Sequence, residues 1–207
     1  MSDLDAIFLL GTLKRRGQFS NTETLCEVVV ERLKKQDVRS EIVHLVEHNI
    51  KPGTRSNMGK GDEWPAILKR VAKADIVIFA TPIWWGIQSS VIQRVIERMD
   101  ELNEELLETG ESKLSNKVAG IVITGAEDGA EHIIGNIANF CVSNGMTMPP
   151  GCAVSWLGDT TRATKNSLKK KLRSECGAMA ETAARNLAFV ARLLREHPIP
   201  KAEAEGG

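Results

Sequence analysis

Short runs of uninterrupted apolar residues, each followed by a stretch with helical spacing, constrain this chain more than any other feature. Residues 6–10 (Ala-Ile-Phe-Leu-Leu), 76–80 (Ile-Val-Ile-Phe-Ala) and 118–124 (Val-Ala-Gly-Ile-Val-Ile-Thr) show no alternation of apolar and polar positions. Strands of that kind are buried on both faces, which in a globular domain means a parallel sheet covered by helices on each side. Between them, Leu25, Val28, Val29 and Leu33 mark a helix over residues 21–36. Ser20 and Asn21 are its N-cap candidates, and Glu23 sits in its first turn, where the helix dipole favours an acid.

The remaining elements follow the same alternation. A second strand is expected at residues 41–45, then a loop to Asp62 rich in Gly, Pro, Ser and Asn, then a short helix over 64–73 with Pro65 in its first turn. Thr81-Pro82 is expected to stop the third strand. Val91, Ile92, Val95, Ile96, Met99, Leu102 and Leu106 predict one long amphipathic helix. A helix over 128–144 is expected to start on Asp128 as N-cap and to stop at Gly145. Residues 152–157 make the last strand, and 162–196 read as one or two helices ended by Pro198. Five strands alternating with helices give an α/β, doubly wound parallel sheet, a single domain over residues 1–200 with a disordered tail at 201–207.

Composition removes whole classes of function. The 207 residues hold 27 Lys plus Arg against 27 Asp plus Glu, so no net field draws the chain to nucleic acid. No apolar run approaches the roughly 18 residues of a membrane span, and the first residues lack the basic region of a leader, so no membrane contact and a cytoplasmic location are expected. Cys26, Cys141, Cys152 and Cys176 are dispersed without a C-x-x-C pair, and His44 and His48 form no H-E-x-x-H. Free thiols and no metal site are the expectation.

Ligands of a doubly wound sheet bind outside the carboxyl ends of its strands, so function is sought in the loops there. The first, Gly11-Thr-Leu-Lys-Arg-Arg-Gly-Gln-Phe-Ser-Asn-Thr22, opens onto a helix with the hydroxyls of Thr12, Ser20 and Thr22 and the cation of Lys14. That set suits a phosphate. The spacing is neither G-x-G-x-x-G nor a Walker A loop, since Gly59-Lys60 is followed by Gly61. The same residues also fit a capped helix with a solvated basic loop.

The loop Thr81-Pro-Ile-Trp-Trp-Gly-Ile-Gln-Ser-Ser90 puts two adjacent indoles at a strand end in a chain with no tyrosine. Flat apolar surface beside an anion site suits a planar ring system, with Gly86 allowing close backbone approach. Core or subunit contacts would use the indoles equally well. The loop Thr124-Gly-Ala-Glu-Asp-Gly129 adds small residues and two carboxylates, or simply a capped turn.

Together with Gly61-Asp-Glu-Trp-Pro-Ala-Ile-Leu68 and Ala74-Asp-Ile-Val, these loops make nearly the whole chain resemble the flavodoxin-like NAD(P)H-dependent FMN reductases. The resemblance implies the strand order 2-1-3-4-5. It also implies that Thr12, Lys14, Ser20, Asn21 and Thr22 hold the FMN phosphate. Pro82, Ile83, Trp84, Trp85 and Gly86, with Thr124, Gly125, Ala126 and Asp128, would then frame the isoalloxazine. Departures are a tryptophan at 84 where relatives often carry tyrosine, a longer and more basic first loop through Lys14, Arg15 and Arg16, and no clustered cysteines for an iron-sulfur centre.

The implied activity is electron transfer from NADH or NADPH through FMN to a quinone, flavin or similar small acceptor. The flavin performs the redox chemistry, so no catalytic side chain is named. Two alternatives stand beside it: a flavodoxin-type electron carrier that oxidises NAD(P)H poorly, and a non-enzymatic binding module on the same fold. The apolar excess at Trp84, Trp85, Ile87, Val91 and Ile92 points to a homo-oligomer, a dimer first.

Overall fold

Apolar runs at residues 4–10, 76–84 and 118–125 become the middle of a sheet because helices cover both of its faces. The computed structural model describes residues 4–126, 128–158 and 164–201. Its strands are β1 (Leu4–Leu10), β2 (Val38–His44), β3 (Ile76–Trp84), β4 (Ile87–Gln88), β5 (Val118–Gly125) and β6 (Ala153–Leu157). The order β2-β1-β3-β5-β6 makes five parallel strands, with β4 paired antiparallel to β3. This is the expected doubly wound sheet, and counting parallel strands alone its order is 2-1-3-4-5.

Helices α1 (Asn21–Lys34), α6 (Lys165–Glu175) and α7 (Gly177–Glu196) enclose one core with Phe8, Ile78 and Val122. On the other face, α2 (Trp64–Lys73), α3 (Ser90–Glu97), α4 (Asp100–Thr109) and α5 (Ala130–Ser143) enclose Leu9, Phe79 and Ile121. Adjacent residues of one strand thus feed two cores, which is why the strands read as continuous apolar runs. Among the described residues no helix is long and apolar enough to cross a membrane.

Several expectations need correction. Strand β2 starts at Val38, opposite Leu4, three residues before the expected start. As an edge strand it tolerates Arg39, Ser40 and Glu41 in a way that apolar patterning does not register. Pro82 does not stop β3, which runs on to Trp84. The β1–β3 register ends at Leu10 opposite Ala80, so no neighbour on that side needs the N–H that proline lacks, while Pro82 stays in register with Thr124 of β5.

The long helix expected over residues 91–106 is broken at Arg98 and Met99. The Arg98 side chain is fully buried and bonds both carboxylate oxygens of Asp62, at 3.0 and 2.7 Å. It also donates to the carbonyls of Lys51 and Arg55, and it is already committed where a continuous helix would run on. Helix α5 begins at Ala130 rather than on Asp128, whose carboxylate accepts from the N–H of Gly129 and caps nothing. Gly145, at φ +76, does follow the end of α5 as expected. The segment from Lys165 to Glu196 divides at Cys176 into α6 and α7; the expected start at Arg162, and nearly all of the 201–207 tail, lie outside the described residues.

All four cysteines are free. Burial pushes the Cys176 thiol up to about 11, and those of Cys26 and Cys141 higher still, so these three stay protonated near neutral pH.

Candidate functional site

Three loops leave the sheet side by side at the carboxyl ends of β1, β3 and β5, and together they enclose a cavity of about 290 Å³. From the first loop come Thr12, Leu13 and Lys14, and from the start of α1 come Ser20, Asn21 and Thr22. The end of β3 supplies Pro82, Ile83 and Trp84, and β5 and its loop supply Thr124, Gly125 and Ala126. Of the residues singled out in the sequence, Trp85, Gly86 and Asp128 lie outside this lining. A larger apolar cavity, about 480 Å³, opens at the amino ends of β5 and β6 beside Leu106, Val142, Met146 and Ile199; it shares no residue with the three loops.

The first wall is a network of small buried hydroxyls. Ser20 is the N-cap of α1, and its Oγ accepts from the N–H of Glu23 at 3.3 Å. The same Oγ donates to Thr12 Oγ1 at 3.0 Å, and Thr12 Oγ1 also accepts from the N–H of Lys14 at 3.4 Å. A hydroxyl has one proton and two lone pairs. Ser20 has therefore spent its proton inside the protein, whereas Thr12 has filled its lone pairs and keeps a proton that finds no acceptor among the described residues. Helix geometry leaves first-turn N–H groups of α1 without intrahelical partners beside it, and the dipole places partial positive charge there. Lys14 lies over the Phe19 ring at 5.7 Å, a cation–π contact that holds its ammonium near the loop.

The floor is a second hydroxyl pair, Thr22 Oγ1 and Thr124 Oγ1 at 2.7 Å, both buried. It ties the start of α1 to the end of β5 under the cavity. Gly125 is needed where it stands, because a Cβ there would sit 2.8 Å from the Ile83 side chain.

The opposite wall is apolar and projects from the sheet. Strands β3 and β4 pair Ile83 with Gln88 and Trp84 with Ile87, leaving Trp85 and Gly86 as a two-residue turn with both φ angles positive, +53 and +77. That is the twist a tight hairpin prefers, with tryptophan in a place usually held by Asn, Asp or Gly. Trp84 is half exposed and Trp85 is 97% exposed. The turn is braced from behind, since a Cβ on Gly129 would lie 2.7 Å from Gly86 Cα.

Gly158 also lines the cavity, and sequence reading passed over it. Its N–H donates to the Gly125 carbonyl at 2.8 Å, and a Cβ there would meet the Trp156 ring at 2.3 Å. Its place just after β6, one more strand at the same end of the sheet, was the signal available.

Residues 6–160 match the family model described as NADPH-dependent FMN reductase. The chain belongs to that family.

Among curated relatives of this FMN reductase family member, the 8-demethyl-8-aminoriboflavin-5'-phosphate synthase of Streptomyces davaonensis is 32% identical over 164 residues, covering 75% of this chain and 64% of the relative. A Mycobacterium bovis protein named as the divalent metal cation transporter MntH is 35% identical over 160 residues, 75% of this chain but 23% of its own length. The chain thus spans less than two thirds of each of these relatives. Among solved structures, RosB with bound 8-demethyl-8-formylriboflavin-5'-phosphate superposes with a TM-score of 0.81 at 29% identity, over 95% of this chain and 82% of that one. The apo NADH:FMN oxidoreductase EMOB, at 15% identity and TM-score 0.65 over 98% and 96%, shares the fold.

Proposed function

We propose that the chain takes hydride from NADH or NADPH onto FMN and passes the electrons to a quinone, free flavin or similar small planar acceptor. The observation that carries this reading is the pairing, across one cavity, of the Thr12 proton, which has no acceptor among the described residues, and the half-exposed Trp84 indole. An anion donor at one end and a flat apolar wall at the other match the two ends of a flavin mononucleotide.

In this reading Thr12 donates to the phosphate, and the first turn of α1 and Lys14 surround it. Ser20 acts through Thr12 rather than on the ligand. Ile83 and Trp84 shield the ring from water, while Gly125, Ala126 and Gly158 admit it close to main chain. Bound FMN supplies the two-electron chemistry, and the protein supplies position and polarity. Trp85, outside the cavity and bare, serves an intersubunit contact in a dimer that covers the hairpin.

Stopped-flow mixing of the FMN-loaded protein with NADH and with NADPH, without acceptor, is the direct test. Bleaching of the flavin band by either is expected; bleaching by dithionite alone would replace the reductase with an electron carrier.

A second reading takes the flavin phosphate as substrate rather than resident cofactor. It is favoured by the flavin intermediate bound to RosB and by the name of the Streptomyces davaonensis relative. Mass spectrometry of the flavin recovered after turnover separates the two: unchanged FMN supports the reductase.

A further inference from the structure

The cavity of about 480 Å³ at the amino ends of β5 and β6 lies at the opposite end of the sheet from the three loops, and its size is that of a small-molecule site. Its walls include the last turn of α4, the last turn of α5 and the segment Ile199–Lys201. Leu107, Val142 and Ile199, one from each of these walls, line it and are each more than half exposed. Large apolar side chains from three separate elements meet around one hollow there, which suits an apolar occupant.

Electrostatics limit the charge of that occupant. Helices α4 and α5 both end at the cavity, so the partial negative charge of two helix C-termini falls on it. Lys201, the cation among the described lining residues, is held by Glu111 at 2.7 Å. An anion would meet two negative helix ends and a carboxylate, with the ammonium already taken. A cation would have to displace Lys201 and shed its own hydration, and an uncompensated charge beside apolar walls is costly. The polar groups left over are uncharged. Ser115 Oγ accepts from the N–H of Ser112 at 2.9 Å, and among the described residues neither its proton nor the Thr147 hydroxyl finds a partner. Two such hydroxyls serve a carbonyl or hydroxyl group on a neutral ring.

One wall is tied down by few contacts. Beyond α7, the Ile199 N–H donates to Asn116 Oδ1 at 2.7 Å and the Ile199 carbonyl accepts from Asn116 Nδ2 at 3.2 Å, with the Lys201–Glu111 pair as a third tie. Asn116 makes both bonds from a left-handed conformation, at φ +61. Residues 202–207, Ala-Glu-Ala-Glu-Gly-Gly, offer two carboxylates and nothing apolar larger than a methyl group, the wrong chemistry to fill the hollow. We propose that this cavity is a second ligand site, separate from the three loops, which takes a neutral, ring-sized apolar molecule beneath the strap Ile199–Lys201.

The test is a fluorescence titration of the full chain with a matched pair of dyes, N-phenyl-1-naphthylamine and 8-anilino-1-naphthalenesulfonate, which share one aromatic body and differ by a sulfonate. The neutral dye should bind, and the anionic dye should bind about tenfold or more weakly. Val142→Glu, at an exposed position of the rim, should weaken the neutral dye about tenfold, while Trp84→Ala, in the loop cavity, should leave its affinity unchanged. Asn116→Gly keeps the left-handed backbone and removes both ties, so association and dissociation in stopped flow should each quicken about threefold or more. It reads the strap independently should Val142→Glu not fold. Equal binding of the two dyes, neutral-dye binding untouched by Val142→Glu or abolished by Trp84→Ala, or unchanged rates in Asn116→Gly would each overturn the proposal. So would dye binding that fades at rising protein concentration as the sedimenting mass doubles, which gives the rim to a second copy. A chain shortened to end at Lys201 that binds the dye about tenfold more tightly would overturn it too, by giving the hollow to residues 202–207.

Discussion

The loop after β2 and the hairpin after β3 leave the sheet at the same end and use their residues in opposite ways. In the loop, the Asp62 carboxylate accepts from Arg98 and from the N–H groups of Met58, Lys51 and Trp64, so a long irregular segment is satisfied from within. In the hairpin, Trp84, Trp85 and Ile87 are half exposed or more, and Trp85 is in a left-handed conformation besides. A segment that closes its own polar account is architecture. One that leaves large apolar surface bare at the rim of a cavity is built for something outside itself.

Arg98→Ala should give the largest effect, because it strands the Asp62 carboxylate in the interior. A loss of about 3 to 5 kcal/mol in urea unfolding is expected. The hydrogen bonds from Arg98 and the loop amides outweigh burial and hold the Asp62 carboxyl well below the usual aspartate range. The unfolded chain therefore takes up the proton first. Its stabilisation is complete above the unfolded value of about 3.9 and is lost as pH falls below it. A wild-type midpoint that does not move between neutral and acid pH would show that the loop is held by other contacts.

The first loop lies between the two extremes, internally bonded, with the Thr12 proton unclaimed among the described residues. Thr12→Val removes that proton and should weaken FMN binding by about 1.5 to 3 kcal/mol, the range for a hydrogen bond to a charged group, in a fluorescence titration. Unchanged affinity would move the phosphate elsewhere.

At the hairpin the sign should reverse. Trp85→Asn exchanges a residue that resists positive φ for one that tolerates it, and should stabilise the monomer by about 1 kcal/mol. The same change should shift sedimentation toward the monomer. A wild type that sediments as a monomer at all concentrations would remove the intersubunit role and leave Trp85 unexplained.

The smallest effect belongs to Ser20→Ala. It removes a cap and the donor to Thr12, so about 1 kcal/mol of stability should go, with a smaller loss of FMN affinity than in Thr12→Val. A larger affinity loss than in Thr12→Val would mean that Ser20 touches the ligand itself.

The strands of the sheet centre were legible because two-sided burial leaves no polar positions, as at 76–80. The loops that line the cavity were legible as candidates because hydroxyls meet a helix start at residues 20–22 and two indoles adjoin at 84–85. What escaped depended on neighbours that one strand cannot announce. Pro82 reads as a stop until β1 is seen to end opposite Ala80. Apolar spacing runs unbroken through Arg98, and only Asp100-Glu101, acids suited to a helix start, hinted at a second helix. The sharing of protons among Thr12, Ser20, Thr22 and Thr124 joins residues up to 102 positions apart, which spacing does not encode.

The contact between Gly86 and Gly129 carries a consequence for motion. Main chain rests on main chain there, with no side chain between to act as a cushion. The hairpin tip is therefore coupled to the start of α5 as one lever, and its fluctuations should follow those of a helix end rather than of a free loop. Relaxation measurements should give Trp85 and Ala130 a common exchange rate, and a side chain at 129 should set the two moving apart.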